Sequence, residues 1–383
     1  MKNFDFVVIG AGVFGAWTAH RLRARGASVA LLDAYGPASS RASSGGETRA
    51  IRLGYGPDEL YTRWSARALR QWQEFAARVQ QKLFHPTGLL WLSDDDEPST
   101  RGLMSVLSKC GIVYDKLSPS ELGRRYPQLV FRDASWGLLE PESGVLMARR
   151  SVQALVDDAT SNGVEFVRAC ALPPKSSGSR LKTVKNADGT SISARTFIFA
   201  CGPWLPKVFP ELLADRIHPT RQEVFFFGTP PGDNDFHSRM PVWLHANHPH
   251  RPYAMPSIES RGFKIAMDRH GADFDPDTGS RLVSESSVAE VRAYLKEHVP
   301  ALQQAPVVET RVCQYENTSN GDFLIDRHPQ LEDVWIVGGG SGHGFKHGPV
   351  VGEYVTARIL DNAAAEPRFS LATKQTTRVR AVF

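Results

Sequence analysis

Cysteine is scarce in this 383-residue chain, with four at positions 110, 170, 201 and 313 and no CxxC pair among them. That spacing excludes a disulfide scaffold or a zinc ribbon and reads as a protein of the reducing cytoplasm. Long apolar runs are missing as well. The longest, such as Phe197 to Cys201 and Val334 to Val337, have strand length and fall far short of the roughly 20 residues a membrane helix needs, so no membrane partner is expected. Nor does charge of one sign dominate: 45 Lys and Arg face 41 Asp and Glu, with no basic run before the last residues, which argues against nucleic acid. Arg378 and Arg380, in a Thr-rich tail, read as a solvated end. No charged-then-apolar leader, internal repeat or low-complexity linker is found.

What is present suits a large enzyme. Eight Trp, 20 Phe and 42% hydrophobic residues can bury a substantial core, and the length favours two joined domains with a cleft. The pattern FDFVVI, a Gly-rich turn, AWTAHRLRARG and VALLD reads as strand, turn, helix, strand. Residues 150–168 read as helix then strand, 195–200 and 333–337 as buried strands, and 349–361 as a helix. Residues 85–149 and 216–305 hold short alternating segments such as VFFFG, with many prolines, which suits an antiparallel sheet. The expected fold is α/β: a discontinuous Rossmann-like nucleotide-binding domain from 1–84, 150–215 and 306–383, and an α+β substrate domain from 85–149 and 216–305.

Gly10, Gly12 and Gly15 form GxGxxG around Val13 and Phe14, directly after a strand, and Asp33 ends the next strand 18 residues after Gly15, with Ala34 following. The first glycine permits the turn, the second lets backbone approach a pyrophosphate, and the third lets helix meet strand; the acid is placed for a ribose hydroxyl. This motif alone leaves FAD and NAD both open, and a Gly-rich turn without ligand is the plainer alternative.

The remaining motifs are Gly46-Glu-Thr-Arg49-Ala-Ile-Arg52, Gly262-Phe-Lys264, Cys313-Gln-Tyr315-Glu-Asn-Thr318, Phe323-Leu-Ile-Asp326-Arg-His-Pro329 and Gly340-Ser-Gly-His-Gly-Phe-Lys346. In this order and spacing the chain resembles, nearly end to end, the monomeric sarcosine oxidase family, with its N-methyltryptophan and pipecolate oxidases, inside the D-amino-acid oxidase group. The resemblance implies FAD, held covalently through Cys313, and oxidation of a C–N bond in a secondary amine or amino acid. It further implies an imine product that hydrolyses, O2 reduced to H2O2, and a monomer.

Lys264 resembles the lysine that activates oxygen above the flavin, Arg52 and Lys346 the two cations that hold a substrate carboxylate, and Arg49 an arginine near the ring. Ser43 and the loop Gly340, Ser341, Gly342, His343, Gly344 are expected at the cofactor, the loop aiming N–H groups and a helix dipole at the flavin. Tyr253 matches a pocket-lining tyrosine. Plainer readings remain beside these: a buried thiol for Cys313, structural ion pairs for the arginines and Lys346, core packing for Tyr253. A dehydrogenase on the same fold, or a flavin subunit without its own turnover, are the rival functions.

Two departures from the family matter. Ser43-Ser44-Gly45-Gly46 replaces a segment that usually carries two histidines, which opens space beside the ring. Asp268 stands where relatives have a cavity-lining histidine; it must face solvent, pair with an arginine such as Arg269, or meet a cationic substrate group. A larger amino acid or amine with a basic or polar side group is therefore expected over sarcosine. His245, His248 and His250 invite a metal reading, but no Cys or carboxylate lies near them in sequence, so no metal is expected.

Overall fold

The first apolar run becomes the strand Asn3–Ile9, and its alternating side chains are buried on both faces because helices cover one and a second apolar layer the other. In this computed structural model, which describes residues 3–375 apart from 177, 233 and 238, that strand is central to a seven-stranded sheet. Its order is Leu324–Arg327, Val334–Gly338, Ser191–Phe199, Asn3–Ile9, Val29–Asp33, Glu165–Arg168, with Thr183–Lys185 on the side. The four neighbour pairs from Val334–Gly338 to Glu165–Arg168 are parallel, the arrangement of a doubly wound nucleotide-binding fold. Arg378 and Arg380 lie outside the described residues.

Helix Val13–Ala24 packs against helices Ala148–Ser161 and Gly348–Leu360. Its anchor is Trp17, 1% exposed and edge-on to both Trp72 and Phe75 of the long helix Glu59–Val79. Full burial of one such side chain contributes roughly 1.5–3 kcal/mol or more. A Cβ on Gly352 would come within 2.8 Å of the Trp17 backbone and side chain, so that glycine sets how closely the two helices approach.

The second sheet has eight strands in the order Val307–Thr318, Ile217–Phe227, Phe263–Met267, Pro252–Met255, Val242–His245, Leu89–Ser93, Trp136–Glu140, Asp115–Leu117. It is antiparallel except where Val242–His245 runs parallel to Leu89–Ser93. The Val307–Thr318 strand, which the sequence reading grouped with the nucleotide-binding half, pairs along its whole length with Ile217–Phe227 and so belongs to this sheet. Helix Glu285–His298, capped by Ser284, covers one face through Val291, Tyr294 and Leu295 against Phe225, Phe227, Trp243 and Phe263. The opposite face looks toward the nucleotide-binding layer. Strand period 2 then decides which side chains meet the site: Phe226 pairs with Lys264, Tyr253 with Ala266 and Gln222 with Cys313, so Lys264, Tyr253, Cys313 and Tyr315 share that face.

Candidate active site

At the first turn each glycine has its own steric reason. Gly10 has φ +107°, and a Cβ there would stand 2.3 Å from the Ala200 carbonyl oxygen; at Gly15 it would stand 1.9 Å from the Gly10 carbonyl oxygen. Gly12 differs, since its Cβ would meet only Ser44 Oγ, at 3.5 Å. The first and third glycines therefore close strand, turn and helix upon one another, while the second leaves backbone open to the cavity. Asp33 fixes the turn from the next strand: one carboxylate oxygen accepts from Ala11 N at 2.8 Å and the other from Tyr35 N and Gly36 N, each at 2.8 Å. Burial nonetheless moves its pKa up.

The cavity above this turn has a volume of about 390 Å³. Gly10, Gly12, Val13, Phe14, Asp33, Ala34, Ser43, Arg49, Cys313, Gly340, Gly342 and Gly344, all anticipated from sequence, lie on its wall. Two wall groups carry buried oxygens without a hydrogen-bond partner, Ser43 Oγ and Glu316 Oε2, and burial pushes the Glu316 carboxyl up to about 7. Orphaned polar atoms beside an open glycine turn are what a long, hydroxyl-bearing dinucleotide satisfies, so the wall fits FAD.

On the sheet side, Arg49 bridges loop and strand: Nη2 donates to the Ser43 carbonyl at 2.6 Å and lies 3.4 Å from Cys313 Sγ. Lys264, 2% exposed, donates to the Thr48 carbonyl at 2.8 Å and to Thr48 Oγ1 at 3.1 Å. Burial, then the neighbouring Arg49, drives its pKa well below the usual lysine range. Tyr253 is partly buried, and desolvation of its hydroxyl pushes its pKa up. Asp268 accepts from Tyr315 Oη at 2.9 Å. Arg269, the partner considered for it, instead pairs with Glu290 at 2.7 Å.

The two expected carboxylate-binding cations lie together. Arg52 stacks its guanidinium 4.0 Å from the Tyr55 ring centre and 5.0 Å from that of Trp91, and donates to the Gly54 carbonyl. Lys346 donates to Tyr55 Oη at 2.9 Å and the His343 carbonyl at 3.0 Å. Burial, then Arg52, pulls the Lys346 pKa well down. Beneath them the buried carboxylate of Glu140 accepts from Leu53 N, Gly54 N, Trp91 Nε1 and Ser143 Oγ, which fixes the backbone just after Arg52 and the ring that Arg52 stacks on.

Eight anticipated residues are not on the cavity wall: Arg52, Tyr253, Lys264 and Asp268 on the substrate side, and Gly15, Ser341, His343 and Lys346 among those expected at the cofactor. Gly15 abuts the Gly10 carbonyl, and Lys346 is held by Tyr55 Oη and the His343 carbonyl. Ser341 turns inward, its hydroxyl donating to the Gly339 carbonyl and accepting from Thr318 N. The His343 side chain joins Tyr55 Oη and the Gly321 carbonyl, and the His343 and Gly344 N–H groups both donate to the Gly340 carbonyl, so they serve the loop itself. Sequence reasoning missed Thr48, Tyr55 and Glu140 as functional positions. Thr48 lies inside a quoted motif and was legible; Glu140 carries no local signal, being 86 residues from Gly54. The histidine loop also gains an unforeseen carboxylate, because Asp133 lies 3.1 Å from His245.

All four cysteines are free, and among the described residues no helix is long and apolar enough to cross a membrane. Peroxisomal sarcosine oxidase from Homo sapiens is 30% identical over 357 residues, covering 91% of this chain and 90% of that protein. Monomeric sarcosine oxidase from Arthrobacter sp. (strain TE1826) is 29% identical, covering 92% and 91%. The crystal structure of L-proline dehydrogenase from P. horikoshii superposes with a TM-score of 0.84 at 22% identity, covering 97% of each chain, which bears on the fold alone. The sequence profile described as FAD dependent oxidoreductase matches residues 5–358, and with the glycine turn and dinucleotide cavity in place the chain belongs to that family of FAD-dependent oxidoreductases.

Proposed function

We propose that this protein is a monomeric, cytoplasmic oxidase that removes two electrons from a C–N bond of an amino acid or secondary amine, giving an imine that water hydrolyses and H2O2 from O2. One observation carries the reading. Two lysine side chains, Lys264 and Lys346, are buried against neutral oxygens, and among the described residues neither forms a salt bridge. Burying a cation without a counter-charge is costly, and such a cost persists where an anion arrives during function. The sarcosine oxidases among the relatives supply the substrate class.

The Gly10–Gly15 turn, Asp33 and the Gly340–Gly344 loop would hold FAD, with Cys313 as its tether, and the bound flavin would supply a two-electron acceptor for the C–H bond beside nitrogen. Arg52 and Lys346 bind the substrate carboxylate, one by a planar fork held between aromatic rings, the other as a point charge. Their charge also lowers the pKa of the substrate amine and so favours the neutral amine that oxidation requires. Lys264, protonated, stabilises the negative charge that develops on oxygen. Asp268 is unsuited to the reacting amine, since a carboxylate beside it would hold it protonated. Oriented by Tyr315, it serves a second cationic or hydrogen-bond-donating group, which selects a larger amino acid with a basic or polar side chain.

Turnover on sarcosine, pipecolate and N-methyl amino acids with neutral and basic side chains tests this, with peroxide and anaerobic dye reduction measured in parallel. Preference for a basic or polar side chain that Asp268→Asn abolishes is expected; strong preference for sarcosine contradicts the substrate assignment, and dye reduction far above peroxide formation contradicts the oxidase.

A further inference from the structure

The histidine at the end of strand Val242–His245 lies on the face of the sheet away from the flavin cavity. Leu244 pairs with Tyr253, on the cofactor face, so Trp243 and His245 point the other way, toward helix Glu285–His298. There three ligand-type atoms from three separate segments converge. One oxygen of Asp133 and one ring nitrogen each of His245 and His298 lie within 4.8 Å of one another, with Asp133 Oδ2 3.1 Å from His245 Nε2. Both histidines are buried while the Asp133 side chain is 46% exposed, which gives the cluster an opening to solvent.

The ring orientations are set by packing and by the far-side nitrogens. His298 stacks on Tyr294 with centroids 4.3 Å apart and on Phe131 at 5.7 Å. Its Nδ1 donates to the Val130 carbonyl at 2.8 Å, which leaves Nε2 with a lone pair, the second-sphere arrangement usual for a metal-bound imidazole. His245 Nδ1 meets Tyr294 Oη at 2.9 Å, while its buried Nε2 has no well-aligned hydrogen bond despite the nearby carboxylate. His248, whose Nδ1 accepts from His250 N, carries its proton on Nε2 and is not a ready ligand.

We infer that Asp133, His245 and His298 bind one divalent transition-metal ion, with zinc the best match, independently of the flavin chemistry. Two imidazole nitrogens and a carboxylate are a borderline donor set that favours zinc over magnesium or calcium. Tetrahedral ligands at bonds of ~2.1 Å stand roughly 3.4 Å apart, so side-chain rotation of the exposed Asp133 closes the remaining distance, with water completing the shell. His298 is in the last turn of its helix, where the dipole favours a cation. The ion would clip that helix to the strand and to the segment holding Asp133.

Untagged, chelator-treated holoenzyme titrated with zinc sulfate alone, and with magnesium chloride as the comparison, tests this by calorimetry and metal analysis after dialysis. Saturation at one zinc per chain, no magnesium uptake, a zinc-dependent rise in Tm, and at least ~10-fold weaker binding in both His298→Ala and Asp133→Asn are expected. Asp133→Asn alters a half-exposed side chain and keeps the test valid should His298→Ala fail to fold. Absence of saturable zinc uptake, or uptake unchanged in Asp133→Asn, overturns the site.

Discussion

Lys264 Nζ is fixed on Thr48, 2.8 Å from the carbonyl oxygen and 3.1 Å from the hydroxyl, so the amine, on the sheet face it shares with Cys313, is held by the residue next to Arg49. Replacing it should separate the two half-reactions. Lys264→Met is expected to slow reoxidation of the reduced enzyme by O2 by ~10²–10³-fold, while anaerobic reduction by substrate changes less than about tenfold. Stopped-flow measurement of each half-reaction checks this; equal losses in both would contradict an oxygen-specific role.

The pH dependence follows from the lowered Lys264 pKa. Oxygen activation needs the protonated form, so the reoxidation rate should fall as pH rises through a value below the ordinary lysine range. For stability the sign is opposite. Between the folded and unfolded pKa values the unfolded chain binds more protons, so this lysine makes stability rise with pH across that window, and its full cost is present below the folded value. A reoxidation rate flat from neutral to alkaline pH would contradict the assignment.

For Arg52 and Lys346 the expected effect is on substrate affinity. Lys346→Met should raise the apparent Kd of a carboxylate-bearing substrate or inhibitor by about 30-fold or more, since loss of one buried partner of a charge pair costs ~2–5 kcal/mol. Glu140→Gln should act in the same direction more weakly, because the chain segment Leu53–Gly54 loses a charged acceptor. Esters or amides of the same ligands should bind the variants and the parent nearly equally.

Gly12 and Gly15 separate cofactor binding from folding. Gly15→Ala places a methyl 1.9 Å from the Gly10 carbonyl oxygen and should destabilise by about 3 kcal/mol or more. Gly12→Ala meets only Ser44 Oγ at 3.5 Å, so the fold should survive with Tm nearly unchanged while FAD retention drops. Thermal unfolding of the apoprotein and flavin content after gel filtration distinguish the two.

Cys313 is expected to carry the flavin. Acid precipitation of the parent protein should give a yellow pellet and Cys313→Ala a colourless one, with yellow supernatant. Its neighbour Arg49 lies 3.4 Å away.

The nucleotide-binding half was legible because its signals are local: glycine spacing, strand pattern and Asp33 lie within one contiguous stretch, and the strands near 195–200 and 333–337 are continuous apolar runs. The site on the sheet was legible only in part. Lys264, Cys313 and Asp268 could be singled out by resemblance, but their common face depends on pairing between residues far apart in the chain, such as Gln222 with Cys313 and Phe226 with Lys264. The same long-range pairing drew Val307–Thr318 into the larger sheet, against the boundary expected at 306. Glu140 and Asp133 act on residues far along the chain, and nothing around either marks it in sequence.

The most direct measurement is anaerobic addition of an N-methyl amino acid with a basic or polar side chain to the purified holoenzyme, followed in the flavin absorbance. Stoichiometric bleaching, reversed by air with release of peroxide, is expected. A protein that holds no flavin, or whose flavin no amine or amino acid bleaches, would contradict the account.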